Sequence, residues 1–164
     1  MRFRFPVLLL VLVGLLSGCS KDDEITTPTV CEEGLTSVAV FAASDTLTYT
    51  ELDDTGMLYH ITDPGTAERP TLQSTVTAHY RGFVTNGRVF DQTTPSTGPV
   101  DFPLSGVIQG WQLGVPLIGK GGKIRLLIPA SLGYGSTGSC RMGVCTICPD
   151  SDLVFDIELV DFTN

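Results

Sequence analysis

From Met57 onward, apolar and polar residues alternate with a period of two, the signature of strands with one buried face. "MLYHIT", starting at Met57, is a short strand candidate, and Asp63-Pro64-Gly65 closes it as a turn. In "STVTAHYRGFV", Val76, Ala78 and Tyr80 point one way and Thr75, Thr77 and His79 the other. Asn86-Gly87 follows, then "RVFD", so the two runs predict a hairpin. "VDFPL" reads as short and extended. "GKIRLLIP" puts Ile124, Leu126 and Ile128 on one face and Lys123 and Arg125 on the other. "DLVFDIELVDF" turns Leu153, Phe155, Ile157 and Leu159 inward and Asp156 and Glu158 outward. Strands wet on one face belong to antiparallel sheets. Only "SGVIQGWQLGV" prefers helix. Its Val107, Ile108, Trp111 and Val115 recur at helical spacing, Pro116 stops the run, and Ser105 is a candidate cap. The expectation is an α+β domain, with one short helix on one antiparallel sheet and the core between them.

The chain before Met57 reads differently. Arg2 and Arg4, an apolar run from Phe5 to Leu16 and a small-residue ending describe an export signal over residues 1–18. Leu16-Ser17-Gly18-Cys19 looks like a bacterial lipobox, in which Cys19 receives lipid. The rival is a plain secretory signal cut elsewhere. Residues 19–34 are polar, carry acidic side chains and Pro28, and read as a tether. Ser20 resembles an outer-membrane sorting residue and the acidic "KDDE" resembles a cell-surface tether, so the expected location is a periplasm-facing outer membrane or the cell surface, with a lipid anchor. Residues 35–56 form an extension in which "LTSVAVFAAS" suits either a strand or a short helix. Residues 57–164 are the folded domain.

Charge narrows the partners. The formal net charge is −8, and becomes −10 once Arg2 and Arg4 are removed. So acidic a chain repels phosphate backbones, which argues against nucleic acid. Few residues offer covalent chemistry. His60 and His79 both fall in strand-like runs and read as sheet-face residues. "GKGGK", from Gly119 to Lys123, lacks the spacing of a phosphate loop. No nucleophile elbow, cofactor motif or metal cluster is visible, and a monomer is expected. Cys31, Cys140, Cys145 and Cys148 remain besides Cys19. In an exported protein an even count suggests two disulfides, with three possible connectivities. "CRMGVCTIC" suggests one bridge inside that loop and one to Cys31. A four-Cys zinc site and a redox "CTIC" are rival readings.

The remaining set is aromatic and aliphatic: Tyr80, Phe90, Phe102, Val107, Ile108, Trp111, Tyr134 and Phe155. It is either plain core or the lining of a site. Two tyrosine hydroxyls need partners if buried, and Tyr134 lies in the loop "LGYGSTG", where packing alone seldom needs an aromatic.

"VTAHYRGFVTNGRVFDQT", "FPLSGVIQGWQLGVPLIGKGGKIRLLIP", "LGYGSTG" and "LVFDIEL" resemble, in order and spacing, the FKBP-type peptidyl-prolyl isomerases over about Met57 to Phe162. The resemblance implies a bent antiparallel sheet wrapped around one short helix. It makes Trp111 the floor of a proline-sized pocket, with Tyr80, Phe90, Phe102 and Phe155 as walls. Val107 and Ile108 take one side and Tyr134 sits on a flap. Asp91 is the carboxylate near the Tyr80 hydroxyl, and the Ile108 N–H and the Tyr134 hydroxyl are donors to a peptide. Gly110 and Gly114 let strands approach the helix. There are departures. Val100 stands where an aromatic wall is common, and "QTTPSTGP" lacks an arginine that often pairs with the carboxylate. The flap is enlarged to "SCRMGVCTICPD", in which Ile147 takes a pocket-rim position. The implied activity is prolyl cis–trans isomerisation of proline-containing polypeptides, assisting the folding of exported proteins. The rival is a proline-peptide binding or chaperone module with little turnover.

Overall fold

The computed structural model describes Cys31, residues 35–142 and residues 144–164. The export signal, Cys19 and the rest of the tether lie outside the described residues. The alternating runs become strands: β1 (Thr50–Glu51), β2 (Leu58–Asp63), β3 (Thr75–Val84), β4 (Val89–Gln92), β5 (Val100–Pro103), β6 (Lys123–Ile128), β7 (Ser139–Arg141), β8 (Val144–Ile147) and β9 (Leu153–Thr163). Two α-helices accompany them, α1 (Val38–Ser44) and α2 (Gln109–Gly114).

Seven strands form one antiparallel sheet in the order β1-β2-β6-β9-β3-β4, with β5 also on β3. β3 shares its edge between two partners. Its first half pairs with β5 (Ala78 opposite Val100) and its second half with β4 (Gly82 opposite Asp91). The β3–β4 turn is the expected hairpin, with the Val84 N–H donating to the Arg88 carbonyl at 3.0 Å and Gly87 at φ +89°. The register between β3 and β9 shifts at Thr77/Ala78, and such an irregularity bends and twists a strand.

The inward residues read from the alternation are buried. Val76, Ala78, Leu126, Ile128, Leu153 and Leu159 are wholly inaccessible and pack with Trp111 and Val115 of the helical segment. Gly110 and Gly114 permit this approach. A Cβ on Gly110 would lie 2.5 Å from Ile128 Cγ2, and one on Gly114 2.5 Å from Leu126 Cδ1.

Three expectations change. Ser105 does not cap α2: Leu104–Gly106 forms its own 3-10 turn, and Ile108, in extended conformation, is the N-cap. The second sheet face is not wet throughout. Phe83, Leu127 and Val154 are buried on it beneath Val38 and Phe41 of α1. The ambiguous "LTSVAVFAAS" is therefore helical where it covers that face, with Ser37 as N-cap accepting from the Val40 N–H. Nor is the extension separate from the domain. Arg125 reaches Asp45 at 2.9 Å and Asp156 at 2.5 Å, and the Tyr49 hydroxyl donates to Asp45. The Val38 N–H donates to Asp152 at 2.8 Å and the Thr85 hydroxyl to the Thr36 carbonyl at 2.8 Å.

The cysteines form Cys31–Cys148 and Cys140–Cys145. Each of the three connectivities has one bridge to Cys31 and one inside the loop; the fold selects the one in which Cys31 takes Cys148.

Candidate functional site

A cavity of about 360 Å³ opens beside the start of α2. Trp111, only 4% exposed, forms its floor. Three rings meet the indole nearly edge to face: Tyr80 at 5.6 Å and 84°, Phe102 at 5.4 Å and 69°, and Phe155 at 5.4 Å and 85°. Phe90 stands against Phe155 at 5.5 Å and 78°. Edge-to-face contacts let each ring present its positive edge to its neighbour's negative face, so the set holds its shape without a ligand. Tyr80 comes from β3, Phe90 from β4, Phe102 from β5, Trp111 from α2 and Phe155 from β9. The walls therefore exist only once the sheet has paired.

The polar side is small. The Tyr80 hydroxyl donates to Asp91 Oδ2 at 2.5 Å. Burial, and then the bond to the Asp91 carboxylate, push the Tyr80 hydroxyl well above the usual tyrosine range. Tyr134, 38% exposed, is shifted upward by burial first and by the Asp91 charge second. Both phenols therefore stay protonated, as donors, at neutral pH. The Ile108 carbonyl accepts from the Trp111 N–H at 3.0 Å and the Gln112 N–H at 3.2 Å. As the N-cap, Ile108 keeps its own N–H outside the helical ladder. The Gln112 side chain donates to the Val107 carbonyl at 2.8 Å and braces the segment that carries Val107 and Ile108. Trp111 Nε1 is buried with no partner among the described residues.

Nine of the expected residues meet here: Tyr80, Phe90, Asp91, Phe102, Val107, Ile108, Trp111, Tyr134 and Phe155. Two do not line the cavity. Val100 shares the face of Phe102 by alternation, but it sits at the open start of edge strand β5 and is 39% exposed. Ile147, 3% exposed, packs into the same core cluster as Trp111 and is not among the residues lining the cavity. Cys148 is likewise buried, tied to Cys31. The histidines make side-chain hydrogen bonds on the sheet, His79 with Thr93 Oγ1 and His60 with the Thr48 carbonyl.

The sequence reading missed two glycines. Gly106 lines the cavity. Gly82 lies between Asp91 and Phe155 on adjacent strands. A Cβ there would fall 2.7 Å from the Phe90 ring and 2.8 Å from the Phe155 ring, so its missing side chain makes room for two walls. A Gly within a strand run is the available signal for such a close approach. A larger groove of about 620 Å³ crosses the outer face of the sheet, where His79, Arg81, Lys123, Arg125, Asp156 and Glu158 are among its lining residues.

Residues 66–160 match the family model described as FKBP-type peptidyl-prolyl cis-trans isomerase. Two curated relatives are similar. FKBP-type peptidyl-prolyl cis-trans isomerase FkpA of Escherichia coli K12 is 43% identical over 107 residues, covering 65% of this chain and 38% of that protein. A probable FKBP-type peptidyl-prolyl cis-trans isomerase of Haemophilus influenzae is 38% identical over 130 residues, covering 79% of this chain and 51% of that protein. The chain thus spans about half or less of these relatives' lengths. Among solved structures, the crystal structure of FkpA from Escherichia coli superposes with a TM-score of 0.66 at 38% identity, over 77% of this chain and 55% of that one. The peptidyl-prolyl cis-trans isomerase of Pseudomonas syringae pv. tomato gives 0.65 at 33% identity, over 77% and 91%. The aromatic cavity, the sheet around α2 and these matches agree: the chain belongs to the FKBP-type peptidyl-prolyl cis-trans isomerase family.

Proposed function

We propose that this chain catalyses cis–trans isomerisation of prolyl bonds in polypeptides and so assists the folding of exported proteins. The observation that carries the proposal is the cavity: four aromatic walls around an indole floor, with Asp91 and the Tyr80 and Tyr134 hydroxyls on its polar side.

Rotation about an X–Pro bond is opposed by amide resonance. The general amide barrier is about 18–20 kcal/mol, and uncatalysed prolyl isomerisation takes tens to hundreds of seconds. No bond to the protein is needed, and the residues lining the cavity include no Ser, Cys, Lys or His. The planar amide is more polar than the twisted one. Moving it from water onto the Trp111 floor therefore disfavours the ground state more than the transition state, and a cavity shaped for the twisted form adds to this. The Tyr134 hydroxyl and the Ile108 N–H hold the flanking backbone while the bond turns. A ten-thousandfold acceleration needs about 5.5 kcal/mol of such difference, at about 1.36 per tenfold.

One observation favours a rival. Asp91 accepts from Tyr80, and no cation pairs with it among the described residues. The polar rim is therefore sparse, which suits a module that clamps prolyl segments without turning them over. Catalytic amounts of the protein added to a proline-limited refolding reaction separate the two. The slow phase is expected to accelerate. An unchanged slow phase, with a prolyl peptide still quenching the single tryptophan, leaves the binder. Placement at a membrane through lipid on Cys19 belongs to the same proposal and rests on the lipobox-like ending; no helix among the described residues is long and apolar enough to cross a membrane. Mass spectrometry of the mature N-terminus tests it.

A further inference from the structure

The peptide unit that joins Val107 to Ile108 is held at one end and open at the other. Both residues line the cavity. The Val107 carbonyl accepts from Gln112 Nε2 at 2.8 Å, and the Ser105 carbonyl accepts from the same nitrogen at 3.4 Å. Carbonyl oxygens only accept, so the nitrogen end of the Gln112 amide is the end that faces them. No acceptor among the described residues takes the Ile108 N–H. The following peptide unit is fixed as well, since the Ile108 carbonyl accepts from the Trp111 and Gln112 backbone N–H groups at 3.0 and 3.2 Å. Gln112 therefore holds three carbonyls of the segment before it, those of Ser105, Val107 and Ile108.

That segment has few other restraints. Val107 and Ile108 lie between the 3-10 turn and α2, outside any strand ladder. Ser105 and Gly106 are exposed, and nothing lies within 4 Å of the position a Cβ on Gly106 would take. A peptide unit is planar and trans, so its carbonyl and its N–H point in opposite directions. Fixing the Val107 oxygen therefore fixes the direction of the Ile108 N–H. Donation to that oxygen also polarises the unit and makes its N–H a stronger donor.

We infer that Gln112 is a positioning residue of the isomerase site, aiming and strengthening the Ile108 N–H through the Val107 carbonyl. Gln112 itself is not among the residues that line the cavity. The inference rests on the isomerase reading above, in which the Ile108 N–H holds substrate backbone beside the proline. A hold on the flanking backbone is the same before and during rotation of the prolyl bond. Its loss weakens binding and leaves the rate of the bound substrate unchanged.

Two variants of the full chain test this. Gln112→Met keeps the length and the helix preference of the side chain and removes the donor. Gln112→Glu keeps the shape, and its carboxylate cannot donate. Each is compared with the wild type on a prolyl tetrapeptide, by isomerisation kinetics, by quenching of the single tryptophan and by the Ile108 amide shift in heteronuclear NMR. With the fold verified by circular dichroism, KM is expected to rise about fivefold while kcat holds. The downfield movement of the Ile108 amide on peptide binding is expected to shrink in both variants. Unchanged KM overturns the inference. So does a loss confined to kcat with the full Ile108 shift, which marks a brace for the walls alone. If the wild type binds the peptide without turning it over, the isomerase reading fails separately. The dissociation constant from quenching then replaces KM, and equal constants in wild type and variants overturn the inference. A wild type that neither binds nor isomerises the peptide removes both.

Discussion

The Tyr80 hydroxyl, on β3, donates to Asp91 Oδ2, on β4, across 2.5 Å, and this bond closes the polar side of an otherwise aromatic cavity. It draws the Tyr80 ring toward the rim while that ring also meets the Phe102 edge at 5.6 Å and 74°. One residue thus serves as wall and as donor.

Tyr80→Phe separates those roles. The ring stays and the carboxylate loses its donor. Hydrogen bonds to charged groups contribute about 1.5–3 kcal/mol, so kcat/KM on a prolyl tetrapeptide is expected to fall about tenfold. Because Asp91 is exposed and can be solvated when the donor is lost, the urea midpoint should hardly move. A variant with wild-type kcat/KM shows that the bond has no part in turnover.

Gly82→Ala acts through the walls. Its methyl would meet the Phe90 and Phe155 rings below 3 Å, and overpacking of this kind costs about 1–3 kcal/mol. Both rings must shift, so isomerase activity is expected to drop more than tenfold even where the domain remains folded by circular dichroism. Retention of full activity would show that the rings relocate without cost.

The two disulfides should differ in their contribution to stability. Cys31–Cys148 closes a sequence separation of 117 and Cys140–Cys145 one of 5. Chain-entropy estimates give about 5 kcal/mol for the longer loop and about 2 for the shorter. Urea unfolding of Cys31→Ser/Cys148→Ser is expected to show the larger loss. Equal losses refute the ordering.

Docking of the extension carries a pH dependence. Asp45 is held below the usual carboxylate range, first by the Tyr49 hydroxyl and then by the Thr46 N–H and Arg125, against the opposing effect of burial. Its folded value being lower than its unfolded one, it stabilises the fold above the ordinary carboxylate range, about pH 4. That contribution is lost as pH falls through the folded value. Burial and the bond to Asp45 push Tyr49 up to about 12, so its contribution is present below pH 10 and lost as pH rises through about 12. Asp45→Asn should flatten the acid limb of a urea-midpoint profile. An acid limb as steep as that of the wild type assigns the dependence to other carboxylates.

The inner face of the sheet was legible in one dimension. Val76, Ala78 and Tyr80 share a parity, as do Leu153, Phe155, Ile157 and Leu159, and a strand's two-residue period transfers that parity directly to space. The spacing of Val107, Ile108, Trp111 and Val115 likewise announced a helix, and the family resemblance implied its close packing on strands at Gly110 and Gly114. The cysteine count announced two disulfides, but the partners were not legible: any of the three loop cysteines could have taken Cys31, and only the fold brings Cys148 to it.

Long-range placement was not legible. Val154 and Leu127 looked like outward positions until α1 covered them, because periodicity records which residues share a face but not what that face meets. Val100 and Ile147 occupy suggestive places in the chain, yet one is the exposed first residue of an edge strand and the other is buried in the core without lining the cavity. Gly82 carried only the generic signal of glycine in a strand. Its importance arises where β4 and β9 bring two phenyl rings to the same point. Alternation is a local property of the backbone; the depth, lining and rim of the cavity depend on residues scattered from Tyr80 to Phe155, which meet only after the sheet has closed around α2.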